Sequence, residues 1–353
     1  MTADASPLRV LAWPAFDNTT GNPYNRLLYE AMERQGPQVD EFTPRRALLG
    51  VYDIWHMHWP DDLLSIRDKR AALLRVVGLI LLMAWMRLRG TRIVWTVHDL
   101  GPHESYHPVL ERWFWRFFLP QIDGFISLSQ HGKRMAERVF PALQDVPGFV
   151  VPHGHYRDAY ADTLAQDDAR QALDLAPDAP VLLYVGRIRR YKNVPHLVRI
   201  FRMLEDDAAR LFVVGNPASS TLQRDIRTAA GDDPRIRLTL EFVPDEAMQG
   251  FLKATDLVVL PYEDILHSGS ALLALSFNRP VLVPNRGAMT ELQTQVGPDW
   301  VRTYEGPLSP DDLEEGLQWA AATDRAATAP LDALEWTVLA TKTHEAYEAV
   351  RDA

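Results

Sequence analysis

The 353-residue chain contains no cysteine. Disulfides, thiol nucleophiles and cysteine-type zinc sites are therefore excluded, and the composition fits a reducing compartment. There is no Gly-x-Ser-x-Gly elbow, no Walker loop and no Gly-x-Gly-x-x-Gly fingerprint. Serine hydrolase, P-loop kinase and standard dehydrogenase readings are weak on that ground. No Asp-x-Asp occurs either, so a transferase of the metal-chelating type is not expected. The opening MTADASPLRVLAW lacks a charged stretch followed by an apolar one, and no signal peptide is expected. A net charge of −10 argues against general nucleic-acid binding.

What is present is core material and a repeated pattern. Apolar residues make up 47% of the chain, enough for packed cores, and the length is natural for two domains. Strands are expected at Leu8–Trp13, 51–60, 91–100 and 122–129, with helices separating them. The pattern restarts after a connection near residue 150, with strands expected at 179–188, 209–217, 236–243, 255–262 and 279–285. Alternation of this kind implies parallel α/β sheets. The fold class expected is α/β, with two Rossmann-like domains facing an interdomain cleft. Boundaries are placed at 1–150 and 151–335. A helix over 336–353 is expected to cross back to the first domain, by analogy with two-domain transferases.

The candidate chemistry sits at strand ends, where open α/β sheets bind ligands. VGRIRRYKN places Arg187 and Lys192 after a strand, a planar fork and a compact charge that suit a diphosphate. The plain alternative is a solvated basic loop. In HSGSALLALSF, Ser268 or Ser270 can cap a helix beginning near Ala271, and Gly269 lets a ligand approach the free N–H groups of its first turn. An ordinary capped core helix would look the same. Gly215 and Asn216 end another strand, near a nucleotide or merely in a tight turn. Glu291 suits ribose hydroxyls, or is a surface acid. In the first half, TVHDLGPHE brings together His98, Asp99, His103 and Glu104 as candidates for a general base, or as capping groups. His56 and His58, and His153 and His155, are pairs two residues apart, but a metal site would need a third ligand.

One stretch suggests a membrane. Val76–Met86 is apolar all round, with arginines at both ends, and its eleven residues are too few to span a bilayer, which takes about 20. It reads as a buried core helix or as a helix lying at the bilayer interface. ERWFWRFFLP is a second basic and aromatic candidate surface.

Taken together, NPYNRLLYEAM, RRALLGVYDIWHMHWPDDLL, VHDLGPHE, HGHYRD, GRIRRYKN, VVGNPAS, VVLPYEDILHSGSALLALS and RPVLVP resemble GT-B glycosyltransferases. Within these the chain resembles the inverting β-mannosyltransferase family 94 of xanthan-type exopolysaccharide assembly. The resemblance implies an N-terminal acceptor domain and a C-terminal nucleotide-sugar domain. It implies a cytoplasmic enzyme, peripheral at the membrane, that moves mannose from GDP-mannose to a polyprenyl-diphosphate-linked glycan without a cofactor. Arg187 and Lys192 would then hold the donor diphosphate, and Ser268, Gly269 and Ser270 would form the phosphate-side turn. Tyr262 and Asn216 would lie near the sugar or nucleotide. His98 and Glu104 become candidates for acceptor activation, and the sequence does not choose between them.

The chain also resembles, more distantly, the retaining family 4. That family's two glutamates, eight apart, would fall at Ile265 and Leu273, and neither is an acid. Their loss fits inversion better than retention. Three alternatives stay open: a retaining transferase using another sugar nucleotide, a sugar-nucleotide 2-epimerase, and an assembly partner that has lost activity.

Overall fold

The computed structural model describes residues 7–17, 22–101, 106–157 and 159–353. The chain forms two compact units, Met1–Gly154 with Leu334–Ala353, and His155–Ala333.

The first unit holds strands β1 (Arg9–Trp13), β2 (Gln38–Glu41), β3 (Ile54–Met57), β4 (Arg92–Val97), β5 (Gly124–Ser127) and β6 (Gly148–Val150). They make one sheet in the order β2-β1-β3-β4-β5-β6, and every pairing is parallel. A parallel sheet is covered on both faces, so its central strands must be apolar throughout; β3 and β5 are buried at every position. Side chains alternate across the sheet. Leu11, Trp55, Trp95 and Phe125 enter one core, shared with helices α3 (Lys69–Leu88) and α4 (Pro108–Phe118), which follow α1 (Tyr24–Glu33) and α2 (Pro44–Leu49) in the chain. Val10, Ile54, Val94 and Ile126 enter the other core, with Tyr24 and Leu28 of α1 and Leu339 and Tyr347 of the C-terminal helix Trp336–Arg351. That last helix is tied to the turn after α1 by Gln35 Nε2, which donates to the Thr337 carbonyl at 2.7 Å.

The second unit repeats the plan with β7 (Val181–Val185), β8 (Arg210–Val214), β9 (Ile236–Thr239), β10 (Leu257–Val259), β11 (Val281–Pro284) and β12 (Val301–Tyr304). The order is β12-β11-β10-β7-β8-β9, again parallel. Chain order reverses at β7 and β10, which sit side by side. The carboxyl ends of such a pair form the ligand crevice of an open α/β sheet.

Three strands have no counterpart in the sequence reading: β2, β6 and β12. All three are sheet edges. An edge strand is only partly covered, so β2 (QVDE) and β12 (VRTY) need no continuous apolar run.

Candidate active site

The second unit assembles a candidate site around the end of β7. Gly186 has φ +115°, a conformation that favours glycine. A Cβ there would overlap Ser270 Oγ and lie 3.8 Å from Lys192 Nζ. The β7 turn, the start of the helix Gly269–Ser276 and Lys192 therefore meet at one point. Gly215 has φ +151°, and a Cβ there would overlap the Gly186 carbonyl, so the ends of β7 and β8 pack backbone on backbone.

Ser268 is the residue that caps the helix, its Oγ accepting from Ala271 N at 3.1 Å. Ser270 is thereby left to face Gly186. Lys192 is partly buried, its Nζ 5.2 Å from the centre of the Tyr262 ring, within cation–π range. Burial lowers its pKa, and Arg189 and Arg187 lower it further, against an opposing effect from Tyr191. An anion bound here would relieve that strain. Tyr262 is buried, with its hydroxyl beside Ser268 and Ser270 and no well-formed hydrogen bond to either. Desolvation raises its pKa, so it stays a neutral hydroxyl. Arg187 is exposed. Asn216 is exposed too, and its carbonyl accepts from Ile188 N at 3.0 Å. Glu291 lies half-buried in the first turn of the helix Ala288–Val296, after β11.

The positions that would carry paired glutamates in a retaining enzyme are built into the core. Ile265 is 5% exposed and Leu273 7% exposed. Glu263 and Asp264 point to solvent. The backbone of Glu263 is fixed at both ends, its N–H donating to the Tyr191 carbonyl and its carbonyl accepting from Arg286 Nη1, each at 2.8 Å. Tyr191 and Arg286, which sequence reasoning passed over, thus lace the β10 loop to its neighbours.

In the first unit, His98 follows β4 and is buried. It stacks on Trp59 at 4.3 Å between ring centres and meets the Tyr24 ring at 5.3 Å. Its Nε2 lies 2.9 Å from His58 Nδ1. Asp99 is half-buried beside it. His103 and Glu104 lie outside the described residues.

His56 and His58 share a face, with ring centres 4.3 Å apart. Their nitrogens are occupied by neighbours. His56 Nδ1 meets Tyr29 Oη at 2.8 Å and Tyr347 Oη at 2.6 Å, and its Nε2 meets Thr96 Oγ1 at 2.7 Å. His58 Nε2 meets Tyr29 Oη at 2.6 Å. Among the described residues no three His, Asp or Glu side chains are grouped to hold a metal. Burial lowers the His56 pKa to about 3 and the His58 pKa well below its ordinary value, so both are neutral near pH 7.

The apolar helix α3 resolves into two faces. Ala72, Val76, Leu79, Met83 and Met86 form a buried stripe in the first core. Leu74, Leu81 and Leu88 are 73%, 65% and 85% exposed, and Trp85 is exposed beside them. By length and composition alone, this 20-residue helix could cross a bilayer; its buried stripe makes it a helix of this core with one face uncovered. The adjoining α4 exposes Val109, Trp113 and Phe117, four residues apart and so on one side. Leu48 and Leu49 of α2 are exposed as well.

Two units, each built on a parallel six-stranded α/β sheet, make the fold of the glycosyltransferase class called GT-B. Solved structures agree on the fold. The chain superposes on sucrose-phosphate synthase from Thermosynechococcus elongatus with a TM-score of 0.62, at 17% identity over 97% of this chain and 94% of that one. It superposes on a glycosyltransferase from Rickettsia africae with a TM-score of 0.64, at 13% identity over 98% of each. Residues 179–317 match the family described as glycosyl transferases group 1. The sequence is 34% identical over 336 residues, 95% of this chain and 90% of the relative, to the GDP-mannose:glycolipid 4-β-D-mannosyltransferase of Xanthomonas campestris pv. campestris. The chain belongs to the group 1 GT-B glycosyltransferases, in the β-mannosyltransferase family of that relative, and is a glycosyltransferase.

Proposed function

We propose that the protein transfers mannose from GDP-mannose to a lipid-linked oligosaccharide with inversion, forming a β-linkage, in exopolysaccharide or glycolipid assembly. The observation that supports this reading is the meeting of Gly186, Lys192 and Ser270 at one point, an arrangement that suits a phosphate, beside two glutamate positions that are buried aliphatic residues. The kinship to an enzyme named for GDP-mannose and a glycolipid supports the choice of donor and acceptor.

In this mechanism Lys192, Arg187 and the N-terminal turn of the Gly269–Ser276 helix take up the charge that develops on the leaving diphosphate. Such preorganised donors act on the transition state without having to reorganise. Tyr262 supports Lys192 from the ring side, and Asn216 and Glu291 are assigned to the sugar and nucleotide. His98 is the general base, with Asp99 and Glu104 as its candidate helpers. Its lone pair takes the acceptor hydroxyl's proton while the oxygen attacks the anomeric carbon. The bond from that carbon to the diphosphate breaks, and GDP leaves with the electron pair.

The uncovered faces of α2, α3 and α4, flanked by the exposed Arg67, Lys69, Arg70, Arg75 and Arg89, suit the cytoplasmic face of an anionic membrane. There they would meet a polyprenyl-diphosphate-linked acceptor. Each well-placed base adds about 1 kcal/mol at such a surface. A thermal-shift series with GDP, UDP, GDP-mannose and UDP-sugars tests the donor. A ligand at a hundredfold excess over its Kd stabilises by about 2.7 kcal/mol. A shift with the guanine compounds alone is expected, and a shift with uridine compounds alone would overturn the donor assignment.

A further inference from the structure

The bases of the first unit fall into two sets. Arg67, Lys69, Arg70, Arg75 and Arg89 are exposed, but Arg87 and Arg92 are half-buried. These two line a cavity of about 590 Å³, together with Ala84, Leu88, Asp123 and Arg351. The cavity lies before β4 and β5, at the amino end of the sheet. β4 is six residues long, so about 20 Å of strand separates this end from the one that His98 follows. The cavity is therefore no part of the acceptor chemistry. Arg351 reaches it because Gly124 opens β5. A Cβ at Gly124 would overlap Val350 Cγ2, so glycine lets the last turn of the C-terminal helix settle against the start of that strand.

The lining carries positive charge in excess. Asp123 is committed to the fold: its Oδ2 accepts from Arg87 Nη1 and from Ile93 N, and its Oδ1 from Arg92 Nη1 at 3.4 Å. Among the described residues, Arg87 and Arg92 place only Nη1 in hydrogen bonds with the protein, and Arg351 only Nε, on Asp352. Asp352 is 71% exposed, and a surface pair of that kind is worth little. Three arginines thus meet one carboxylate in the cavity. The carbonyl end of α3 adds about half a negative charge, too little to cancel them.

The cavity also has an apolar border. Leu74, Val77, Leu81, Trp85 and Leu88 follow one another by three or four residues, so they share one face of α3, and all are exposed. Leu88, 85% exposed, belongs both to this row and to the cavity lining. Trp85 Nε1 donates to the Leu48 carbonyl at 3.2 Å, and the Arg89 guanidinium lies 5.6 Å from the Trp85 ring centre. An anion site continuous with a row of exposed hydrocarbon is complementary to an amphiphile.

We propose that this cavity seats the headgroup phosphate of one anionic phospholipid, whose acyl chains pass over Leu88 into the bilayer. The inference rests on the reading of α2, α3 and α4 as a membrane face, and it adds to that face one saturable site. Arg87, Arg92 and Arg351 donate charge-assisted hydrogen bonds to the phosphate oxygens. A diffuse basic surface responds to how much charge is lost; a site responds to which arginine is lost.

The test is native mass spectrometry of the full-length protein after incubation with phosphatidylglycerol. Flotation with phosphatidylcholine vesicles, with and without phosphatidylglycerol, runs beside it. One phosphatidylglycerol per wild-type chain is expected. Arg351→Ala removes an arginine paired only with a surface acid, so the protein should fold normally and bind the lipid about tenfold or more weakly. Arg75→Ala makes the same charge change outside the cavity and should keep the bound lipid. Leu88→Glu should lose it with Tm unchanged. Equal weakening by Arg351→Ala and Arg75→Ala would overturn the site in favour of diffuse attraction. Flotation of wild type with no lipid retained would overturn the site and leave the membrane face standing; no flotation would remove both. Displacement of the lipid by inorganic phosphate at equal concentration would mark a free-anion site and overturn the lipid assignment.

Discussion

Single residues divide between binding and chemistry. Lys192 meets Gly186 and Ser270 and should touch the diphosphate. A hydrogen bond to a charged group contributes about 1.5–3 kcal/mol, roughly 10- to 150-fold in affinity. Lys192→Ala and Arg187→Ala should therefore weaken GDP binding by about that factor in calorimetry, with Lys192 the more sensitive because its ammonium is partly buried. His98→Ala should leave GDP binding intact and lower kcat by about 10²- to 10⁴-fold, the usual range for a lost general base. His56 predicts a pH dependence of stability. Its folded pKa is about 3, below the ordinary value of about 6.5. Between those values the unfolded chain binds a proton that the folded chain refuses, so stability present above pH 6.5 is lost as the pH falls toward 3. Acid unfolding followed by dichroism should show a flatter limb in His56→Gln, which cannot titrate there. The residues that meet at the end of β7 were legible as types in the sequence: VGRIRRYKN and HSGS each suit an anion, though a basic loop and a capped helix would look the same. What the sequence left open was which of Ser268 and Ser270 caps the helix, since both spacings are good. The His56–His58 pair suggested half a metal site. The tyrosines that occupy it, Tyr29 and Tyr347, stand 27 and 291 residues from His56, and no local pattern connects them.

Among elements, the Gly269–Ser276 helix is the most informative. All its positions from Ala271 to Ser276 are buried, so the absence of a glutamate at Leu273 is a packed fact of the core. Leu273→Glu should restore no retaining chemistry. It should instead lower stability by roughly 3–5 kcal/mol, the cost of an uncompensated buried charge, seen as a large fall in Tm. Ser268→Ala, which removes the cap, should cost about 1 kcal/mol. Helix α3 gave two readings in the sequence, core or interface, because a run apolar all round has no face to distinguish. The structure shows a stripe in the core and an uncovered side. Leu74→Glu with Leu81→Glu should leave Tm unchanged and reduce co-sedimentation with anionic vesicles. Equal vesicle binding by wild type and variant would remove the membrane from the account. The strands read correctly are the interior ones and β9; those missed are edges, where half-exposure dissolves the apolar signal.

At the scale of the whole molecule, two six-stranded parallel sheets of different strand order each place described candidate groups after the carboxyl ends of strands: His98 after β4, Arg187 after β7, Asn216 after β8, Tyr262 after β10. The chain carries a net charge of −10, yet the loop after β7 and the uncovered helices are basic. With lysine, arginine and a helix terminus facing the leaving group, transfer should persist in excess EDTA; loss of activity that Mg²⁺ restores would contradict this assignment of the charge. The central claim is inversion on a scaffold shared with retaining enzymes. The measurement that tests it most directly is the anomeric configuration of the product formed from GDP-mannose and a polyprenyl-diphosphate-linked acceptor, read from the one-bond C1–H1 coupling by NMR. A β-mannoside is the expected result; an α-mannoside would contradict the account.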